Sequence, residues 1–247
     1  MNNFEKEVIP SEGSFEKVPP IMTCIGTVED FREYLPESFD TMRMLDGEAD
    51  RRAQTISPNI DNISWKASDE DKKEAGLLSG GSREYVLSSL NSNNKFSSGL
   101  YSCLCLVVVG KSKMMNKNIS TMLHTPLYNP ADDVDGKSLG GLINALDPQL
   151  NTLKEECIDG SIDSVIAGGL INKRYEAWDT EHYTDMKDFL SERVKRVCGI
   201  TPVHVGGPKK LDTTQGKDTE QVADDVYFEN DTRRLFLLRP ECTKSRE

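Results

Sequence analysis

The chain predicts a mixed α/β fold, α+β in its segregation: a layered mixed β-sheet sandwich flanked by helices. Three observations carry this. Gly99 to Pro126 holds two apolar runs around a polar connection, the pattern of a β-hairpin. Lys137–Asp159 and Asp185–Cys198 repeat apolar residues at spacings of three and four, the pattern of helices lying on a sheet. Two further aliphatic runs, beginning at Ser164 and Thr201, each end in Gly-Gly. The order from Gly99 is then β-β-α-β-α-β-β-β.

The hairpin organises the rest. Leu104 to Val109 is aliphatic and β-branched, as in a buried strand. Gly110 to Asn118 is a polar connection with two Met, and Ile119 to Leu123 is a second strand. A turn centred near Met114 brings Cys103 and His124, 21 positions apart, to facing strand ends. Opposed side chains on a ladder sit about 4.5–5.5 Å apart. A thiol and an imidazole so placed can form an ion pair that draws a cysteine pKa from about 8.5 to roughly 3.5–7.5. A cysteine in an apolar strand is ordinarily core, and a histidine before Thr-Pro is ordinarily a strand end. The combination makes the two a candidate nucleophile and base.

The 247 residues suffice for one large domain or a domain with an appendage. Net charge is −11, which argues against nucleic acid and anionic membrane as main partners. No apolar run is long enough for a membrane span, and the start of the chain lacks a signal-peptide core. The six cysteines (24, 103, 105, 157, 198, 242) include no CxxC pair. With three histidines (124, 182, 204), a structural zinc site is not expected. Reduced thiols and a cytosol-like compartment follow.

Taken in order, residues 1–20 are a polar lead-in ending in Pro-Pro. Thr27 with Asp30 has a capping-box look at the head of a helix. Ser38–Gln54 and Ser68–Leu78 read as further helices. Residues 1–95 hold 18 acidic and 11 basic residues, −7 of the total. They form an acidic extension or a helical substrate-docking region, with the catalytic domain at 96–247. Tyr128–Gly136 glances at a calcium loop but lacks its spacing and closing Glu, so it reads as a loop. The amphipathic stretch from Lys137 is one helix, or two broken at Pro148. Asn172–Thr184 is a polar insertion with Trp178 and His182, Leu211–Asp224 a polar loop, and Val226–Leu238 a closing hairpin.

Gly99-Leu-Tyr-Ser-Cys103, the aliphatic strand, and Met122-Leu-His124-Thr-Pro126 resemble the cysteine–histidine core of the CheD chemoreceptor glutamine deamidases. The same core occurs in toxins of the cytotoxic necrotizing factor type and in Burkholderia lethal factor. The resemblance covers about residues 96–240 and includes both Gly-Gly strand ends. Tyr101 departs from the family's glycine, the hairpin is longer, and 172–184 and 208–224 look expanded. The resemblance implies a cofactor-free conversion of glutamine to glutamate on a protein substrate. Cys103 is then the nucleophile and His124 the base. Ser97, where the family has threonine, orients the imidazole, and a backbone N–H near Ser102 or Cys103 stabilises the oxyanion. Cys103 is preferred to Cys105 for access, and His204 is the fallback base. The departures suggest a specialised target, such as a host protein met by an injected bacterial effector or toxin. Alternatives are a transglutaminase or N-terminal-asparagine amidase on the same site, and a non-catalytic binding protein on the same scaffold. A papain-like protease, with its Cys at a helix start and a distant His, fits the short spacing poorly.

Overall fold

In the computed structural model, the described residues are 18–44, 59–63, 78–79, 85–100, 103–127, 137–172, 176–211 and 223–240. Strand β1 (Met22–Gly26) leads into a 3-10 helix (Glu29–Tyr34) and a short helix α1 (Phe39–Met44). Four strands follow: β2 (Ile60–Asn62), β3 (Leu78–Ser79), β4 (Val86–Leu87) and β5 (Asn94–Leu100). The long hairpin is β6 (Cys103–Lys111) and β7 (Asn118–Pro126). Helix α2 (Lys137–Glu156), strands β8 (Asp163–Gly168) and β9 (Leu170–Asn172), and helix α3 (Glu176–Cys198) come next. The described chain closes with β10 (Val203–Val205), β11 (Lys209–Leu211), β12 (Asp224–Glu229) and β13 (Arg234–Leu238).

The strands form two mixed sheets packed face to face, with a small β11-β9 ribbon beside them. The front sheet has order β1-β13-β12-β5-β2, and the back sheet has order β10-β8-β6-β7-β4-β3. The layered α+β class expected from the sequence is the one found.

Alternation along the central strands sorts the core into layers. Leu104, Leu106 and Val108 of β6 face α2 and α3. Cys105, Val107 and Val109 face the front sheet, where they meet Val226, Phe228, Leu235 and Leu237. The outer side of the front sheet carries Phe96 and Phe236, covered by Phe39 of α1 and by Phe31. Each of these buried side chains contributes about 1.5–3 kcal/mol, so the two-sided burial of β6 makes it the central strand.

Several local expectations change. The chain does not divide at residue 95. β1 pairs with β13, β2 with β5, and β4 with β7, so the front part supplies strands to both sheets. Edge pairing needs only backbone N–H and C=O groups, which Met22–Gly26 and Ile60–Asn62 provide without a hydrophobic signature. The Thr27–Asp30 capping pair forms reciprocally, Thr27 N–H to Asp30 Oδ2 at 2.8 Å and Asp30 N–H to Thr27 Oγ1 at 3.3 Å, but it heads a 3-10 helix. Of the Ser38–Gln54 helix, Phe39–Met44 is described; 45–54, 68–77, 128–136 and 212–222 lie outside the described residues. Helix α2 runs through Pro148 unbroken. Pro148 and Asn144, whose carbonyl loses its helical donor, are both exposed, so water can meet that carbonyl. The polar stretch read as an insertion belongs largely to α3, which begins at Glu176 and buries Tyr183 and Met186.

Strand β5 is anchored by a buried ammonium. Lys95 is fully buried, and its Nζ donates to Asp61 Oδ2 at 2.6 Å, Asn91 Oδ1 at 2.5 Å and Ser89 O at 3.2 Å. Burial pulls its pKa below the usual lysine range, while Asp61 pulls it back. Asp61→Ala therefore strands a buried charge and should cost about 3–5 kcal/mol in urea unfolding at pH 7. Replacing the pair by Lys95→Met with Asp61→Leu should recover most of that loss. A cost below about 1 kcal/mol for Asp61→Ala would contradict this anchoring.

Candidate active site

The register of the hairpin decides which residues meet. Cys105 pairs with His124, and Cys103 pairs with Pro126. The expected pairing of Cys103 directly opposite His124 is therefore off by two residues. An even shift keeps every side chain on its face, so Cys103, Cys105 and His124 share the face toward the front sheet. Cys103 lies on the diagonal from His124, where Cα atoms stand about 7–8 Å apart, within reach of a long side chain.

The two cysteines differ in access. Cys105 is fully enclosed in the layer between the sheets. Cys103 is half-buried at the first position of β6, on the rim of that layer. The preference for Cys103 on grounds of access therefore has a structural counterpart, although Cys105 is the direct neighbour of His124.

Ser97 comes from the other sheet. It sits in β5 opposite Val226 of β12 and is fully buried. Its Oγ lies 2.7 Å from His124 Nδ1, a hydrogen bond that crosses from front sheet to back sheet. Burying an unsatisfied hydroxyl or imidazole costs about 1–3 kcal/mol, so each group gives the other reason to be there. The sequence placed both residues at the site, and the structure brings them together.

A glycine-hinged bulge aims this end of β5. Between Ser97 and Leu100 the ladder slips by one residue against β12. Gly99 takes φ +76°, the left-handed conformation that an extra residue in a bulge needs, with no atom near enough to forbid a Cβ. The bulge resets the alternation, so Ser97 and Leu100 both turn inward. Asp225 accepts the Gly99 N–H at 3.1 Å and pairs with Arg43 of α1 at 2.8 Å. Burial pushes the Asp225 carboxyl up to about 6, against the opposing pull of Arg43 and the Gly99 amide. Asp225 was missed in the sequence, where an acidic pair ahead of a strand carries no signal for this role.

Both Gly-Gly strand ends converge on Cys103. Leu104 pairs with Gly168 of β8, and β10 lies parallel beyond β8. A Cβ at Gly168 would come 3.2 Å from the Cys103 carbonyl, and one at Gly207 would come 1.8 Å from the Gly168 carbonyl. At Gly207 backbone packs directly on backbone, and at Gly168 a φ of +89° with Leu100 and Cys103 close by favours glycine.

The fallback base does not share the site. His204 pairs with Ile166, which faces the helices, and its Nε2 bonds Ser191 of α3 at 3.0 Å. It therefore lies on the opposite face of the back sheet from Cys103. His182 is buried within α3. Ser102, expected at the oxyanion position, lies outside the described residues, as does the side chain of Trp178.

Burial works against the expected ion pair. Burial pushes the Cys103 thiol up to about 12, and Cys105 higher still. Desolvation is the cause, and it favours the neutral thiol over the thiolate. No family model matches the chain, and no curated protein matches it.

Iodoacetamide labelling of the folded protein should modify Cys103 at least about tenfold faster than Cys105, which needs unfolding for access. The Cys103 rate should keep climbing above pH 9. A plateau reached by pH 6–7 would show a thiolate–imidazolium pair and contradict the neutral resting state.

Proposed function

We propose that the protein is a cysteine-dependent protein-glutamine deamidase, converting a glutamine side chain to glutamate with release of ammonia. The observation that carries this is the 2.7 Å bond between Ser97 Oγ and His124 Nδ1 on the face that also holds Cys103. Nucleophile, base and orienting hydroxyl then come from residues the CheD resemblance names in the same roles.

The chemistry follows from a neutral thiol. With Nδ1–H donated to Ser97, Nε2 is the basic nitrogen. As Cys103 Sγ bonds the carboxamide carbon, His124 takes the thiol proton and passes it to the departing ammonia. Water, activated by the same nitrogen, then cleaves the thioester to carboxylate and free thiol. A backbone N–H beside Cys103 would supply oxyanion stabilisation, a contribution of about 2.7–4 kcal/mol per donor in acyl transfer. No bound cofactor is needed for these steps.

The protein substrate, its reactive glutamine, and action as an injected bacterial effector or toxin belong to the same proposal. Among the described residues no helix is long and apolar enough to cross a membrane. The high pKa of the Cys103 thiol favours a second reading, a non-catalytic binding protein on this scaffold. N-terminal-asparagine amidase or transglutaminase chemistry at the same site differs in substrate alone.

Mass spectrometry of candidate protein substrates separates these. The wild type should add about one dalton at a single glutamine, the mass of NH₂ replaced by OH. Cys103→Ala should abolish the gain, and Ser97→Ala should lower kcat by about 10²-fold with KM little changed. A gain that persists in Cys103→Ala would overturn the assignment of the nucleophile.

A further inference from the structure

The far end of the sandwich holds a second feature, about 26 Å along β6 from Cys103 at a strand rise of about 3.3 Å per residue. There the turn of the β6–β7 hairpin meets the turn of the β12–β13 hairpin. Asn118 Nδ2 donates to the carbonyls of Asn230 and Asp231 at 3.0 and 3.1 Å, and Asn230 Nδ2 returns a bond to Asn118 O at 2.7 Å. The two turns are thus fixed to one another across the sheets.

Between them lies a cavity of about 370 Å³. Lys111, Lys117 and Arg233 line it, with Asp231 the one carboxylate of its wall, alongside Asn116 and Asn118. The chain as a whole carries −11, so a wall with two positive charges in excess runs against the average. Neither Lys111 nor Lys117 enters an ion pair among the described residues. Arg233 is 1% exposed, and its Nη2 donates to Ser161 O at 2.8 Å and reaches toward Val109 O at 3.4 Å. Among the described residues its Nε and Nη1 have no hydrogen-bond partner. Asp163 acts on the Arg233 charge from a distance, and its two oxygens accept the Ile21 and Ser164 amides. Buried guanidinium donors are rarely left unpaired, because each loses its hydration without a replacement partner.

Backbone conformation gives a second observation. Arg233 and Asn116 are the non-glycine residues of the described chain with positive φ, +56° and +53°, and both line this cavity. For a side chain as large as arginine that conformation is an outlier, and such outliers gather at ligand sites.

We propose that this cavity is an anion site taking a phosphate-type dianion, held by Lys111, Lys117 and the Arg233 guanidinium. The volume admits such a group with room for the segment that bears it. The dianion is either a free phosphate or a phosphoryl group on a partner protein. The proposal stands apart from the Cys103 chemistry, and its test needs no turnover.

Calorimetric titration of the full chain with inorganic phosphate, against sodium chloride at matched ionic strength, reads binding directly. The wild type should bind saturably. Lys111→Gln with Lys117→Gln, both outside the core, should weaken binding by at least about tenfold, and Asp231→Asn should tighten it. A second titration with a phosphoserine peptide distinguishes the source. Tighter binding than phosphate marks a protein-borne group, and equal or weaker binding marks the free ion. No saturable binding of either probe, or binding unchanged in the double lysine variant, would overturn the proposal.

Discussion

A hydroxyl and an imidazole meet at 2.7 Å in the largely apolar space between two sheets. Sandwich sheets stand about 10 Å apart, so a serine from one and a histidine from the other can touch only if both strands are aimed there. The Gly99 bulge aims Ser97, and the Asp225 carboxylate holds the bulge. The register of β6 and β7 aims His124. What surrounds the pair follows from the same requirement. The Gly-Gly ends of β8 and β10 let backbone crowd against the start of β6, which leaves Cys103 at the rim of the layer that encloses the imidazole.

Burial cuts two ways at this site. It strengthens the Ser97–His124 bond by lowering the local dielectric, and it raises the cost of a charged sulfur. A sulfur held as a thiol does not oxidise or alkylate readily, and in the proposed deamidation it needs a base only at the moment of attack. That division of labour resembles a serine hydrolase more than a papain-like ion pair. It also places the demand for correct orientation on the histidine rather than on the cysteine.

The sequence made the hairpin, both packed helices and the two Gly-Gly strands legible, because each carries a periodic apolar pattern. It made Cys103, His124 and Ser97 legible as a set through short motifs. Register was not legible. The six-residue connection from Ser112 to Lys117, closed by a Ser112 N–H to Lys117 O bond at 2.8 Å, fixes it, and composition does not encode where such a turn pivots. Strand β5, Asn-Lys-Phe-Ser-Ser-Gly-Leu, also escaped. Its inward positions hold Lys95 and Ser97, polar groups that are buried because they are bonded, so the hydrophobic signal of a central strand is missing. The opening turns of α3 read as an insertion because Tyr183 and Met186 are their main apolar anchors. β1 and β2 joined sheet edges through backbone alone.

The account rests on which nitrogen of His124 carries the proton. The chain has three histidines, so ¹⁵N imidazole spectra at neutral pH can be assigned with His182 and His204 variants. A proton on Nδ1, bonded to Ser97 and lost from that position in Ser97→Ala, is the predicted result, with Nε2 left basic. A proton on Nε2, with Nδ1 accepting the serine hydroxyl, would leave no base for the thiol and would contradict the account.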